Sequence, residues 1–132
     1  MTRVIRVGLI QASIGDNVPT EMNALKAQMI EKHLALIDDA AKRDVEILCL
    51  QELFYGPYFC AEQDRRWYAM AEKIPEGPTV RLMQDVAKKY GMALVGVHFC
   101  ACSLRYDISW AQGRLNMLLR LKCSLAMGFS WG

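Results

Sequence analysis

Val45-Glu46-Ile47-Leu48-Cys49-Leu50-Gln51-Glu52-Leu53-Phe54-Tyr55-Gly56-Pro57-Tyr58-Phe59-Cys60 sets a strand-length apolar run directly before a carboxylate and an aromatic Gly-Pro loop. A near-continuous run of Val, Ile and Leu is what a strand covered on both faces requires. A carboxylate at the C-terminal end of such a strand stands where open α/β sheets hold their ligands. Apolar neighbours can make that group a usable general base. Glu52 is therefore the first candidate for chemistry in this chain.

Working outward, residues 3–12 hold Val4, Ile5, Val7, Leu9 and Ile10 and read as a first strand rich in β-branched residues. A polar loop with Gly15, Asp16, Asn17 and Pro19 follows. Over residues 20–43, Met22, Leu25, Met29, Ile30, His33, Leu34, Ile37 and Ala41 recur every three or four positions. That spacing predicts a long amphipathic helix with Thr20 as its N-cap. Beyond the Glu52 loop, residues 62–72 form a short helical segment carrying Trp67, Tyr68 and Met70. Gly77-Pro78-Thr79 predicts a helix start with Pro in the first turn. Leu82, Met83, Val86, Ala87 and Tyr90 give that helix one apolar face, and Gly91 its C-terminal cap. Residues 92–99 read as a third strand. The order β-α-β-(α)-α-β predicts an α/β fold with parallel strands and right-handed crossovers.

The bulk properties exclude several classes. The chain has 132 residues, enough for one domain with one core, and 53% of them are hydrophobic. Sixteen basic and 14 acidic residues nearly balance, so nothing selects for nucleic acid or an anionic membrane. The apolar runs are too short to span a bilayer, and the N-terminal residues contain no secretory apolar segment. Five cysteines without CxxC spacing predict a reducing, cytoplasmic setting rather than a disulfide framework. The composition breaks near residue 100. Residues 1–99 carry 12 basic and 13 acidic side chains, whereas residues 100–132 carry Arg105, Arg114, Arg120 and Lys122 against Asp107 alone, with no Glu and no Pro. The expected division is therefore a domain region over 1–99 and a divergent tail over 100–132.

Gln51-Glu52-Leu53-Phe54, followed by Gly56-Pro57-Tyr58-Phe59-Cys60, resembles the nitrilase (carbon–nitrogen hydrolase) superfamily around its catalytic glutamate. The resemblance takes in Val7-Gly8-Leu9-Ile10-Gln11, Ala40-Ala41-Lys42-Arg43, Ile74-Pro75-Glu76-Gly77-Pro78-Thr79 and Met92-Ala93-Leu94-Val95. Phe59-Cys60-Ala61-Glu62-Gln63 is most similar to the N-carbamoyl-amide hydrolases, the group of β-ureidopropionase and N-carbamoylputrescine amidase. The resemblance implies that residues 1–99 are a partial domain, the N-terminal part of a four-layer α-β-β-α sandwich that hydrolyses non-peptide C–N bonds through a Glu-Lys-Cys triad. In that triad the thiol attacks carbon, the glutamate moves the proton, and the lysine steadies the oxyanion. It further implies a small-molecule ureide or amide substrate, no cofactor, and a homo-oligomer in the full-length family. Only the glutamate has a match here, at Glu52.

The remaining candidates are weaker. Lys122 and Cys123 follow Glu52 by about the right distance for a lysine. They are rejected because adjacent residues of one strand point to opposite faces and because Leu119-Arg120-Leu121-Lys122-Cys123-Ser124-Leu125 lacks the basic family motif. Cys49 reads as a small buried hydrophobe, and Cys60 as a loop residue near the site. Cys100 and Cys102 lack the second ligand pair a metal site needs. His33 and His98 read as packing residues. Phe54, Tyr55, Tyr58 and Phe59 suit either a substrate wall or the core. The tail lacks the family's next strand and Asp-Gly turn, yet permissible codons read two nucleotides later over residues 116–132 restore something similar. A frameshift is one explanation of the tail, and a coding sequence with no family-like alternative frame would sink that idea. Three strands alone would leave apolar surface uncovered.

Overall fold

Three strands of the sheet run parallel and in chain order. The computed structural model describes residues 3–58, 64–73, 75–97 and 106–110. Among these, β1 (Val7–Ile10), β2 (Ile47–Glu52) and β3 (Ala93–Val97) are parallel neighbours, and β4 (Tyr106–Trp110) returns antiparallel along β3. Helix α1 (Met22–Lys42) connects β1 to β2, and α2 (Pro78–Tyr90) connects β2 to β3. Right-handed crossovers between strands laid down in one direction put both helices on the same side of the sheet. The core agrees with this. Ile10, Leu48, Leu50 and Leu94 from the sheet join Ile37 and Ala40 of α1 and Met83, Val86 and Ala87 of α2 in a single buried cluster.

The other side of the sheet is open among the described residues. Val7 is 64% exposed and Leu9 71%, and their register partners Ile47 and Cys49 are only half-buried, as is Val95 opposite Cys49. The expectation that residues 45–50 are covered on both faces is thus corrected. Leu48 and Leu50 are buried while Ile47 and Cys49 are not, because the two helices can cover only one layer.

Both helices form where the apolar spacing predicts, with different caps. α1 is capped by the extended backbone of Glu21, not by Thr20, and no side-chain bond supports it. The N–H of Leu25 reaches the Glu21 carbonyl at 3.0 Å. Its buried residues, Leu25, Met29, His33, Ile37 and Ala40, follow the predicted stripe, with Ala40 burying more deeply than Ala41. The chain leaves α1 through Asp44 at φ 55, a left-handed conformation that Asp tolerates better than most residues. α2 begins at Pro78 and ends on Gly91 at φ 63, as predicted. Gly8 lets β1 pack closely on β2, since a Cβ there would stand 2.8 Å from Leu48 Cδ1 and the leucine would have to shift.

Three further segments depart from expectation. The first strand is shorter than predicted, although the Arg6 carbonyl still accepts the Glu46 N–H at 2.9 Å. The segment before α2 is a 3-10 helix over Arg65–Met70. β4 lies inside the divergent tail, where Tyr106, Ile108 and Trp110 alternate with Asp107 and Ser109. That period of two was legible but short. Among the described residues no helix is long and apolar enough to cross a membrane.

Candidate functional site

The end of β2 carries an irregularity that decides where Glu52 stands. Cys49 lies opposite Val95, yet Glu52 lies opposite Val97, so β2 holds one residue more than β3 between those pairs. Without that extra residue Glu52 would share the side of Leu48 and Leu50, beneath the helices. A one-residue slip reverses the face of every following side chain. Glu52 is therefore on the open side with Cys49 and Val95, and it is exposed. Among the described residues it has no hydrogen-bond or ion-pair partner, so its carboxylate is available to a reacting group.

The residues around it are held firmly. Gln51 accepts the N–H of Ala12, tying the loop after β1 to the end of β2. Leu53, directly after the glutamate, is buried and has φ 53, a conformation that costs a branched residue strain. A turn closes over it, the Gly56 N–H reaching the Leu53 carbonyl at 3.0 Å. Phe54 (2% exposed) and Tyr55 (0%) are sunk in the core. Their rings meet edge-on at 5.2 Å, and the Tyr55 hydroxyl donates to the Met70 carbonyl at 3.3 Å. Of the four loop aromatics expected either to line a pocket or to pack, these two pack. Tyr58 is 65% exposed. Phe59 lies outside the described residues, as do Cys60, His98, Cys100, Cys102, Lys122 and Cys123.

Two polar features lie close to the turn, and the first escaped the sequence reading. Glu72 is buried and pairs with Lys26 of α1. It also accepts the Thr79 N–H at 2.8 Å and the Thr79 hydroxyl at the start of α2. Burial alone would raise its pKa, but the bonds from Lys26 and Thr79 outweigh that and hold the carboxyl below its ordinary value. Gly77 makes the approach possible, since a Cβ there would fall 2.5 Å from Glu72 Oε2. The Lys26 ammonium also lies 4.6 Å from the centre of the Tyr55 ring. The one signal for this pair is an acid shortly before a Gly-Pro helix start, where a helix N-terminus favours negative charge. Its partner, 46 residues away, leaves no local trace.

The second feature is His33, fully buried as the packing reading expects. Its Nδ1 lies 2.8 Å from the Met29 carbonyl, so that nitrogen carries the hydrogen. Its Nε2 is buried with no partner among the described residues. The imidazole meets Phe54 edge-on at 5.3 Å. Burial pushes its pKa below the usual histidine value, and the charge on Lys32 adds to this, while the Met29 bond opposes it.

This arrangement supplies one accessible carboxylate on a rigid strand end. Cys49 is half-buried, and its thiol lies 3.5 Å from the Leu50 carbonyl. Lys26 is committed to Glu72. Among the described residues no three His, Cys, Asp or Glu side chains are grouped so as to hold a metal ion.

Comparison with known proteins identifies similar chains. A family model described as carbon-nitrogen hydrolase matches residues 6–105. A beta-ureidopropionase of Arabidopsis thaliana is 38% identical over 93 residues, covering 70% of this chain and 22% of that protein. An N-carbamoylputrescine amidase of Solanum lycopersicum is 32% identical over 92 residues, covering 70% of this chain and 28% of its own length. A citrullinase of Francisella tularensis is 30% identical over 95 residues, covering 72% of this chain and 30% of that protein. The chain thus spans less than a third of the length of these relatives. The crystal structure of a carbon-nitrogen hydrolase from Helicobacter pylori G27 superposes with a TM-score of 0.59 at 18% identity, over 78% of this chain and 35% of that one. At that identity the likeness is one of fold.

Proposed function

The chain belongs to the carbon-nitrogen hydrolase family, and from that premise we propose that it is the glutamate-bearing portion of an N-carbamoyl amidase. The reaction is hydrolysis of an N-carbamoyl amine or amino acid to the free amine, carbon dioxide and ammonia, without a cofactor. Glu52 serves as the proton carrier. It takes the proton of an attacking thiol and returns it to the departing nitrogen. The observation that carries this reading is the extra residue in β2, which sets a carboxylate without a partner among the described residues on the open side of the strand end. Five cysteines without paired spacing support a reducing, cytoplasmic setting.

The same reading makes the 132-residue chain inactive by itself. No lysine or cysteine in it matches the other two members of the triad, and without the thiol the family mechanism has no nucleophile. Purified chain supplied with β-ureidopropionate or N-carbamoylputrescine is expected to release no ammonia above the blank. Release that disappears in Glu52→Gln would overturn the inactivity and give the chain a complete site of its own.

A second reading, a non-catalytic fragment that docks on full-length subunits, is favoured by the open apolar side of the sheet. Val7 and Leu9 are largely exposed there, and parallel sheets are rarely left bare on one face. Co-purification with an intact relative, without turnover, is the outcome that distinguishes it.

A further inference from the structure

His33 is a buried titratable group that the proposed chemistry does not use, and it stands directly beneath the turn that presents Glu52. Its ring supports Phe54, which is separated from Glu52 by Leu53 alone. Leu53 is held at φ 53 with its side chain buried. A strained residue keeps such a conformation only while its surroundings enforce it. Helix α1 holds this turn through two ring contacts, Lys26 over Tyr55 and His33 against Phe54. The second depends on the charge of the imidazole. With Nδ1 bound to the Met29 carbonyl, added acid must place its proton on Nε2, which is buried and has no acceptor among the described residues.

The ionisable groups nearby give that proton no relief. On α1, Lys32 opposes it, and Lys26 is engaged with Glu72. On the strand end and turn, Glu52 is exposed to solvent, and the Tyr55 hydroxyl donates to the Met70 carbonyl. Ahead of α2, the negative charge of Glu72 is already met by Lys26 and Thr79. An imidazolium in this position is stable only once the ring leaves it.

We propose that His33 is a pH-operated latch on the Glu52 turn: neutral, it seats Phe54 and keeps Leu53 and Glu52 in place; protonated, it releases all three. The latch concerns the turn itself and stands whether or not Glu52 is a general base.

The test is amide hydrogen exchange of the 132-residue chain between pH 8 and pH 5, corrected for the intrinsic pH dependence of exchange. The amides of residues 53–56 are followed beside those of α2. Below the usual histidine value of 6.5, the protection of residues 53–56 is expected to fall about tenfold per pH unit, while α2 keeps its own. His33→Gln, neutral throughout this range, is expected to abolish the dependence, as is His33→Leu. The proposal is overturned if the turn and α2 lose protection together, or if either folded variant keeps the wild-type pH dependence.

Discussion

The two faces of one sheet are made of the same kind of residue and have different fates. Ile10, Leu48, Leu50 and Leu94 meet the helices and are buried, while Val7, Leu9, Ile47, Cys49 and Val95 point away and stay partly or largely exposed. Hydrophobicity does not separate these sets. Topology does, because strands in sequential order with right-handed crossovers bring both helices to one side. The candidate base belongs to the second side. One extra residue in β2 moves Glu52 from the covered face to the open one, so the candidate site lies on the face that the two helices leave uncovered.

That contrast can be broken most sharply beneath the covered face. Glu72→Ala strips the half-buried Lys26 ammonium and the Thr79 N–H and hydroxyl of their acceptor at once, and with each bond to a charged group contributing about 1.5–3 kcal/mol the expected loss is about 3–5 kcal/mol. Urea unfolding measures it, and a loss no larger than that of an exposed ion pair would show that Lys26 escapes to water. The pair also has a pH signature. Because the folded Glu72 carboxyl lies below its ordinary value of 4.5, its stabilisation is complete above that value and is lost as pH falls through the folded value. Glu72→Gln should remove this acid limb from the stability–pH curve.

Next in size is the apolar contrast itself. Leu48→Ala on the covered face opens a cavity in the core and is expected to cost about 2–5 kcal/mol. Leu9→Ala, on the neighbouring strand but the open face, should stay within about 0.5 kcal/mol. Comparable losses at the two positions would mean that the open face is covered in solution. Smallest in stability but visible in handling is Leu9→Lys, which breaks the exposed apolar patch. It should raise the concentration at which the chain begins to associate, as seen by light scattering, and leave the unfolding midpoint in place.

Much of this fold could be read in the sequence because it rests on local periodicity. The α1 stripe from Leu25 to Ile37, the Pro78 start and the Gly91 stop of α2, and the apolar runs of β2 and β3 are all short-range signals. Glu52 was legible for the same reason, as a carboxylate ending one of those runs. What the sequence hid was set by distant partners. The cap at Glu21 rather than Thr20 is a backbone conformation with no side-chain signature. The Lys26–Glu72 pair joins α1 to the segment ahead of α2, 46 residues away. The register shift that turns Glu52 outward exists only relative to β3. Phe54 and Tyr55 show the same limit, since an aromatic loop composition serves a pocket wall or a core equally well, and only the turn at Leu53 directs these two rings inward.

The central claim is that Glu52, so placed, is a family acid–base group waiting on partners this chain does not supply. It is tested most directly by replacing the matching segment of the Arabidopsis thaliana beta-ureidopropionase with residues 45–58 of this chain. Hydrolysis of β-ureidopropionate by the chimera is then measured with Glu52 intact and as Glu52→Gln. The chimera should turn over, and the Gln variant should lose at least about a hundredfold in kcat. A chimera equally active with Gln at this position would contradict the account.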